Sequence, residues 1–287
     1  MRMFLAGALL LLTLTFVKAT AQSVKMPPRV DTVHYGNNPA AGHYLNTRGF
    51  KLYYETYGQG APMLIIHGNG GSIDNWVYQI PYFAHDYHVV IADSRAQGRS
   101  VDKGDSLSYE MMTDDLNALL DSLHMDSCFV IGWSDGGING LLMAIRHPEK
   151  VKKLAVTGAN LWPDTTAVNP VAYNWAMNYN NALRKKDTLA SARQELKLAH
   201  LLSYEPHISL EQLHGIRCPT LVIGGDHDVI RPQHTLLIAD NIPKSYCWIL
   251  PNSGHSTPIF YGDDFNRVVG NFFAKPYRAF GGFMLFQ

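Results

Sequence analysis

The chain has only three cysteines in 287 residues, too few for a disulfide framework. It carries no excess charge of either sign. The 24 Lys and Arg residues balance 24 Asp and Glu, which leaves no electrostatic footprint for nucleic acid or for an anionic membrane surface. It has no internal repeat and no low-complexity tract. Its apolar runs are shorter than the about 20 residues that a membrane-spanning helix needs. What is present is a 46% hydrophobic composition. A chain of this length and composition suits one large α/β domain, able to bury its core without metal or disulfide staples.

The amino terminus has its own pattern. Met1-Arg2-Met3 supplies a positive start, Phe4 to Val17 is apolar, and Lys18-Ala19-Thr20-Ala21 ends in an A-x-A sequence. These features predict a secretory signal over residues 1–21, cut after Ala21, and export to the periplasm or beyond. No cysteine follows Ala21 to take a lipid, and the mature chain is expected to have no stable membrane insertion. Removing Arg2 and Lys18 leaves 22 basic residues against 24 acidic. Residues 22–41, rich in Pro and Asn, read as a loosely attached leader. Cys128 and Cys247 lie inside apolar runs and are expected to be buried thiols. A Cys218–Cys247 bridge stays open in an oxidising compartment, because sequence does not fix connectivity.

From there, strand-like and helical segments alternate. Lys51–Tyr57 reads as an extended, Tyr-rich strand. Met63–Ile66, Val89–Ala92, Phe129–Gly132, Leu154–Thr157, Leu221–Gly224 and Cys247–Leu250 are short apolar runs that fit central strands covered on both faces. Tyr109–Leu123 has helical spacing after Ser108 as N-cap. Gly136–His147 and Asp263–Ala274 are helices stopped by Pro148 and Pro276. This alternation predicts a mostly parallel sheet with helices on both faces. The core spans 42–160 and 207–275, and residues 276–287 form a tail. Residues 161–206 break the rhythm. They hold no convincing strand but contain Trp162, Tyr173, Trp175, Met177, Tyr179 and Tyr204, and read as a helical lid laid over the sheet.

The chemistry centres on FVIGWSDGG, where an apolar strand runs into Gly132-Trp133-Ser134-Asp135-Gly136, a G-x-S-x-G match followed by a helix. Ser134 would sit on a tight turn, where a Cβ two residues to either side would collide with the adjoining strand and helix. A serine hydroxyl is a poor nucleophile. It needs a histidine base that is itself oriented by a buried acid, here expected in the chain order Ser, acid, His. Downstream, PTLVIGGDHDVI carries Asp226 and Asp228 just past a strand, and CWILPNSGHS presents His255 past the next. His67 precedes Ser134 and is expected to brace its own loop. The acids and histidine of GGDHD are adjacent in a loop rather than spaced as ligands on a helix face, and the chemistry calls for no metal or organic cofactor.

His67-Gly68-Asn69-Gly70-Gly71 resembles the oxyanion-hole loop of α/β-hydrolases. Asp93-Ser94-Arg95-Ala96-Gln97-Gly98-Arg99-Ser100 resembles their D-x-R-G-x-G-x-S turn, with Ala96 where Gly is usual. GWSDGG, VTGANLW and IRCPTLVIGGDHDVI are similar to the biphenyl-hydrolase-like branch, whose members include hydrolases of amino-acid esters. The resemblance covers about Gly42 to Ala274 and implies the α/β-hydrolase fold. Its G-x-x-D pattern places the catalytic acid on Asp228, with Gly225 as the motif glycine and Asp226 as the fallback. It also implies that backbone N–H groups of Asn69 and Asp135 stabilise the oxyanion. Asn69 has an alternative, purely conformational role, since Asn tolerates unusual loop geometry.

The expected activity is hydrolysis of small carboxylic esters, amino-acyl esters among them, through an acyl-enzyme on Ser134. Amidase, lactonase, acyltransferase or perhydrolase chemistry uses the same triad, and a non-catalytic binding member of the fold is the reading from another class. In the resembling branch the side chain of Asp135 is assigned to the substrate's ammonium. The alternative is that it turns away to cap a loop or pair with an arginine. Trp162 and Trp175 are expected to wall the acyl or leaving-group pocket.

Overall fold

The computed structural model describes residue 28 and residues 31–186 and 190–279. The expected signal, residues 1–21, lies outside the described residues, as does most of the tail.

The strands are β1 (Gly42–Thr47), β2 (Phe50–Tyr57), β3 (Ala61–Ile66), β4 (Tyr87–Ala92), β5 (Cys128–Trp133), β6 (Val151–Thr157), β7 (Thr220–Gly225) and β8 (Ser245–Leu250). They form one eight-stranded sheet in the order β1-β2-β4-β3-β5-β6-β7-β8. Pairing is antiparallel for β1 with β2 and β2 with β4, and parallel elsewhere. The helices are α1 (Ile80–Phe83), α2 (Tyr109–Ser122), α3 (Asp135–Arg146), α4 (Pro170–Arg184), α5 (Ala190–Tyr204), α6 (Leu210–His214), α7 (Pro232–Asp240), α8 (Thr257–Phe260) and α9 (Gly262–Ala274). The 161–206 interval thus contributes the helix pair α4 and α5.

The apolar runs work because side chains alternate across a strand. Leu64, Ile66, Val90, Val130, Leu154, Val156 and Val222 pack on one face with Met112, Leu116 and Leu119 of α2 and Leu141 and Leu142 of α3. Met63, Ile65, Val89, Ile91, Ile131, Ala155 and Ile223 pack on the other with Trp76, Phe83, Phe265, Val269 and Phe273. A run apolar on both faces therefore serves a sheet covered on both faces. Ser108 caps α2, its side chain accepting from Met111 N.

Three expectations change. Cys247–Leu250 belongs to β8, which is an edge strand with Leu250 as its one buried residue. Cys247 is accordingly exposed, Cys128 and Cys218 are buried, and all three are free thiols with no Cys218–Cys247 bridge. The leader, as far as it is described, is pinned rather than loose. The fully buried Glu55 carboxylate accepts from Gly36 N at 2.9 Å and Asn38 N at 3.0 Å, and from the phenols of Tyr53 and Tyr57. Tyr35 is buried against Tyr57. A buried carboxylate needs several donors, and the leader supplies two of them.

Register aligns the strand ends that matter. Ile66 lies opposite Gly132, Trp133 opposite Thr157, Thr157 opposite Ile223 and Gly225 opposite Leu250. The loops after β3, β5, β6, β7 and β8 therefore leave from one carboxyl edge, where open α/β sheets gather their ligands.

Candidate active site

Ser134 joins β5 to α3 with φ 57° and ψ −121°, a left-handed conformation that costs a non-glycine residue about 1–3 kcal/mol. The surroundings hold it there. Ser134 N donates to Thr157 O at 2.8 Å, and Ser134 O accepts from Gly137 N and Ile138 N. A Cβ on Gly132 would stand 2.0 Å from Gly136 O, and one on Gly136 would stand 2.1 Å from Ile66 O. Only glycine lets strand and helix approach this closely.

The hydroxyl faces His255. Ser134 Oγ lies 2.9 Å from His255 Nε2, and His255 Nδ1 lies 2.6 Å from Asp228 Oδ1. Asp228 is buried, and the same oxygen accepts from Ile230 N at 3.1 Å. Asp226 points elsewhere, to the exposed His227 ring at 2.8 Å and Ser253 N at 3.0 Å. Those partners, His227 first, hold its carboxyl down at about 2. The structure thus brings Ser134, His255 and Asp228 into one hydrogen-bonded chain and leaves Asp226 out of it. Such a chain can take a proton from the serine and stabilise the resulting imidazolium.

Two further groups position His255, and neither is evident from sequence spacing. Trp133 Nε1 donates to His255 O at 2.8 Å, and its ring lies 5.9 Å from the imidazole. Gly158, at φ 63° beyond β6, comes so close that a Cβ there would be 2.7 Å from His255 Cε1. The only sequence signal for Gly158 is its place in VTGANLW, just past a strand.

The loop after β3 runs over Ser134, since a Cβ on Gly68 would be 3.1 Å from Ser134 Cβ. His67, fully buried, donates from Nδ1 to Gly68 O and accepts Ser94 N at Nε2. Burial pushes its pKa down to about 4, so it is neutral at pH 7. Gly70 N is taken by Gln97 Oε1 and Gly71 N by Gly68 O. Among the described residues the Asn69 N–H has no such partner. Asp135 is the first residue of α3, where a backbone N–H has no intrahelical acceptor.

Asp135 is buried and is among the residues that line the cavity above Ser134. Oδ2 accepts from Asn69 Nδ2 at 2.8 Å, and the Tyr109 phenol is a second hydrogen-bond partner. Burial raises its carboxyl to about 6 against the pull of Asn69, Tyr109 and His255. Asn69 Nδ2 also donates to Leu198 O, tying α5 to the loop.

The cavity has a volume of about 350 Å³ and is walled by the β3 and β5 loops below and by Val168, Ala172, Trp175, Ala176, Leu202 and Glu205 above. Trp175 lines it while remaining 59% exposed, stacked on Tyr179. Trp162 does not line it. Its ring packs edge-on against His234 at 4.8 Å, and its Nε1 donates to Thr166 Oγ1. Tyr109 and Glu205, absent from the sequence-derived site, both do. Tyr109 is hidden in sequence as the first residue of a helix, and Glu205 as one acid at a helix end. A larger depression of about 830 Å³, lined by Arg184, Lys197, His200 and the 102–107 loop, contains none of the Ser134 chain. Among the described residues no three His, Cys, Asp or Glu side chains group as a metal site, and no helix is long and apolar enough to cross a membrane.

Comparison with known proteins points the same way. Residues 61–185 match the family model described as alpha/beta hydrolase fold. The chain is 26% identical over 274 residues to 2-hydroxymuconate semialdehyde hydrolase of Pseudomonas sp. (strain CF600), covering 83% of this chain and 96% of that one. It is 24% identical over 271 residues to serine hydrolase BPHL of Mus musculus, covering 85% and 90%. A thermophilic esterase from Thermogutta terrifontis superposes with a TM-score of 0.69 at 22% identity, over 83% of this chain and 99% of that one. The sheet order and the strained serine between β5 and α3 are those of the α/β-hydrolase fold, and the curated relatives to which the chain is similar are hydrolases.

Proposed function

We propose that the chain hydrolyses small carboxylic esters, amino-acyl esters in particular, with Ser134 as nucleophile, His255 as general base and acid, and Asp228 as the orienting acid. One observation carries this reading: Ser134 Oγ, His255 and Asp228 are joined by contacts of 2.9 and 2.6 Å beside a cavity of about 350 Å³. In the first step His255 Nε2 takes the hydroxyl proton as Oγ attacks the acyl carbon. The carbonyl oxygen becomes an oxyanion, held by the N–H groups of Asn69 and Asp135. Nε2 then returns the proton to the departing alkoxide, leaving an acyl-enzyme. Water attacks in turn, its proton passing through His255 back to Ser134 as the acid departs. Asp228 keeps the proton on Nδ1 throughout, so that Nε2 is the basic nitrogen.

The preference for amino-acyl groups rests on charge. Asp135 and Glu205 line the cavity, and among the described residues no Lys or Arg does. An anion such as the muconate semialdehyde named for the Pseudomonas relative would meet two carboxylates. An ammonium would be attracted. If residues 1–21 direct export, the esters met are those outside the cytoplasm.

The test is Ser134→Ala assayed on p-nitrophenyl butyrate. Activity should fall roughly 10³-fold or more in a folded protein, because the covalent route is lost while the oxyanion donors survive. Turnover near wild type would refute the assignment.

A further inference from the structure

We propose that Glu205 is a specificity-determining residue, receiving the ammonium of the acyl group from the lid side of the cavity while Asp135 lies on the Ser134 side. The proposal rests on the hydrolase reading above and adds to it a residue that neither the motif nor the chain order points to.

Glu205 follows α5 directly and lines the same cavity as Ser134, Asp135 and Tyr109. Among the described residues the ion-pair contact of its carboxylate is with the His207 ring, at 4.0 Å and 71% exposed. An exposed pair at that distance contributes little and is screened by salt. Asp135 differs, for its carboxylate already receives the Asn69 amide and the Tyr109 phenol. Of the two, Glu205 therefore has more capacity left for a new donor.

Tyr109 stands near both acids. Burial, with the charges of Asp135 and Glu205, holds its phenol well above the usual range, so it stays a neutral donor and cancels neither charge. The rest of the upper wall is apolar, including Val168, Ala172 and Leu202. Two carboxylates lining a cavity with such a wall attract a cation through a medium that screens poorly. A compact ammonium with three donors answers that attraction and can hydrogen-bond to Glu205. A methyl group of the same size does neither.

That contrast sets the experiment. The benzyl esters of alanine and of isobutyric acid differ by ammonium against methyl on the same carbon. The ratio of their kcat/KM values cancels any general damage to the elbow. In wild type the ratio should favour alanine. Glu205→Gln should lower it by about 5- to 30-fold, as a charge-assisted bond becomes a neutral one. Glu205→Asp, which keeps the charge, should retain more of the preference than Glu205→Gln. Labelling of each variant by a fluorophosphonate reports that its site is folded. A labelled Glu205→Gln with a ratio within about twofold of wild type, or a wild type that treats the two esters alike, would overturn the proposal. A wild-type protein that turns over neither ester and takes no fluorophosphonate would instead overturn the hydrolase reading, and the proposal with it.

Discussion

Replacing Gly158 by alanine probes the site through a residue that takes no part in the chemistry. The backbone there has φ 63°, where an added Cβ costs about 1–2 kcal/mol. The new methyl would lie 2.7 Å from His255 Cε1 and 2.9 Å from Nδ1. Ordinary contact begins near 3.4 Å, so the ring must retreat by roughly 0.7 Å. It has no slack of that size, being held at 2.6 Å by Asp228 and 2.9 Å by Ser134. A displacement approaching 1 Å in a catalytic group costs on the order of 10²-fold. Gly158→Ala should therefore lose about 10- to 100-fold in kcat/KM on p-nitrophenyl butyrate and about 1–2 kcal/mol in urea unfolding. The reasoning is refuted if the variant shows the stability loss with full activity, for His255 would then not depend on the space Gly158 leaves.

Other outcomes follow from the same geometry. Asp228→Asn should cost more activity than Asp226→Asn, since only Asp228 touches His255; the reverse ranking would move the acid to Asp226. Trp175→Ala should change relative rates across an acyl-chain series, whereas Trp162→Ala should cost about 1–3 kcal/mol of stability and leave those ratios alone; equal effects on the ratios would place both rings at the substrate. Asp135 has its pKa raised to about 6 from an unfolded value near 3.9. Its buried charge is a penalty above about pH 6 that is relieved as the pH falls from about 6 to 4, because the folded state then binds more protons than the unfolded. Wild type should therefore gain stability relative to Asp135→Asn over that window, and the preference for an ammonium ester over its methyl isostere should weaken below about pH 6. A ratio flat from pH 7.5 to 5 would remove Asp135 from substrate recognition.

The central strands were legible because each is buried on both faces, so that Met63–Ile66 or Val89–Ala92 shows as an unbroken apolar run. β1 was not, because Gly42–Thr47 pairs at the sheet edge and is nowhere fully buried. β8 misleads in the opposite sense. Its run is apolar, yet strand order places it at the other edge and exposes Cys247. At the site, the chemistry of a serine nucleophile constrains residue type and chain order strongly enough to single out Ser134 and His255 and to narrow the acid to Asp226 or Asp228. The family resemblance chose Asp228, and the structure brings Ser134, His255 and Asp228 together. Trp133, Gly158, Tyr109 and Glu205 carry no such constraint. Their closeness to the site arises from register and lid placement, which local pattern does not encode. The same limit put Trp162 at the pocket, where one aromatic in a lid reads like another.

The most direct test of Ser134 as nucleophile is the site of covalent attack. Wild-type protein treated with a fluorophosphonate should gain one adduct, mapped by peptide mass spectrometry to Ser134 and absent from both heat-denatured protein and Ser134→Ala. An adduct on a different serine, or ester turnover with no adduct at all, would contradict the account.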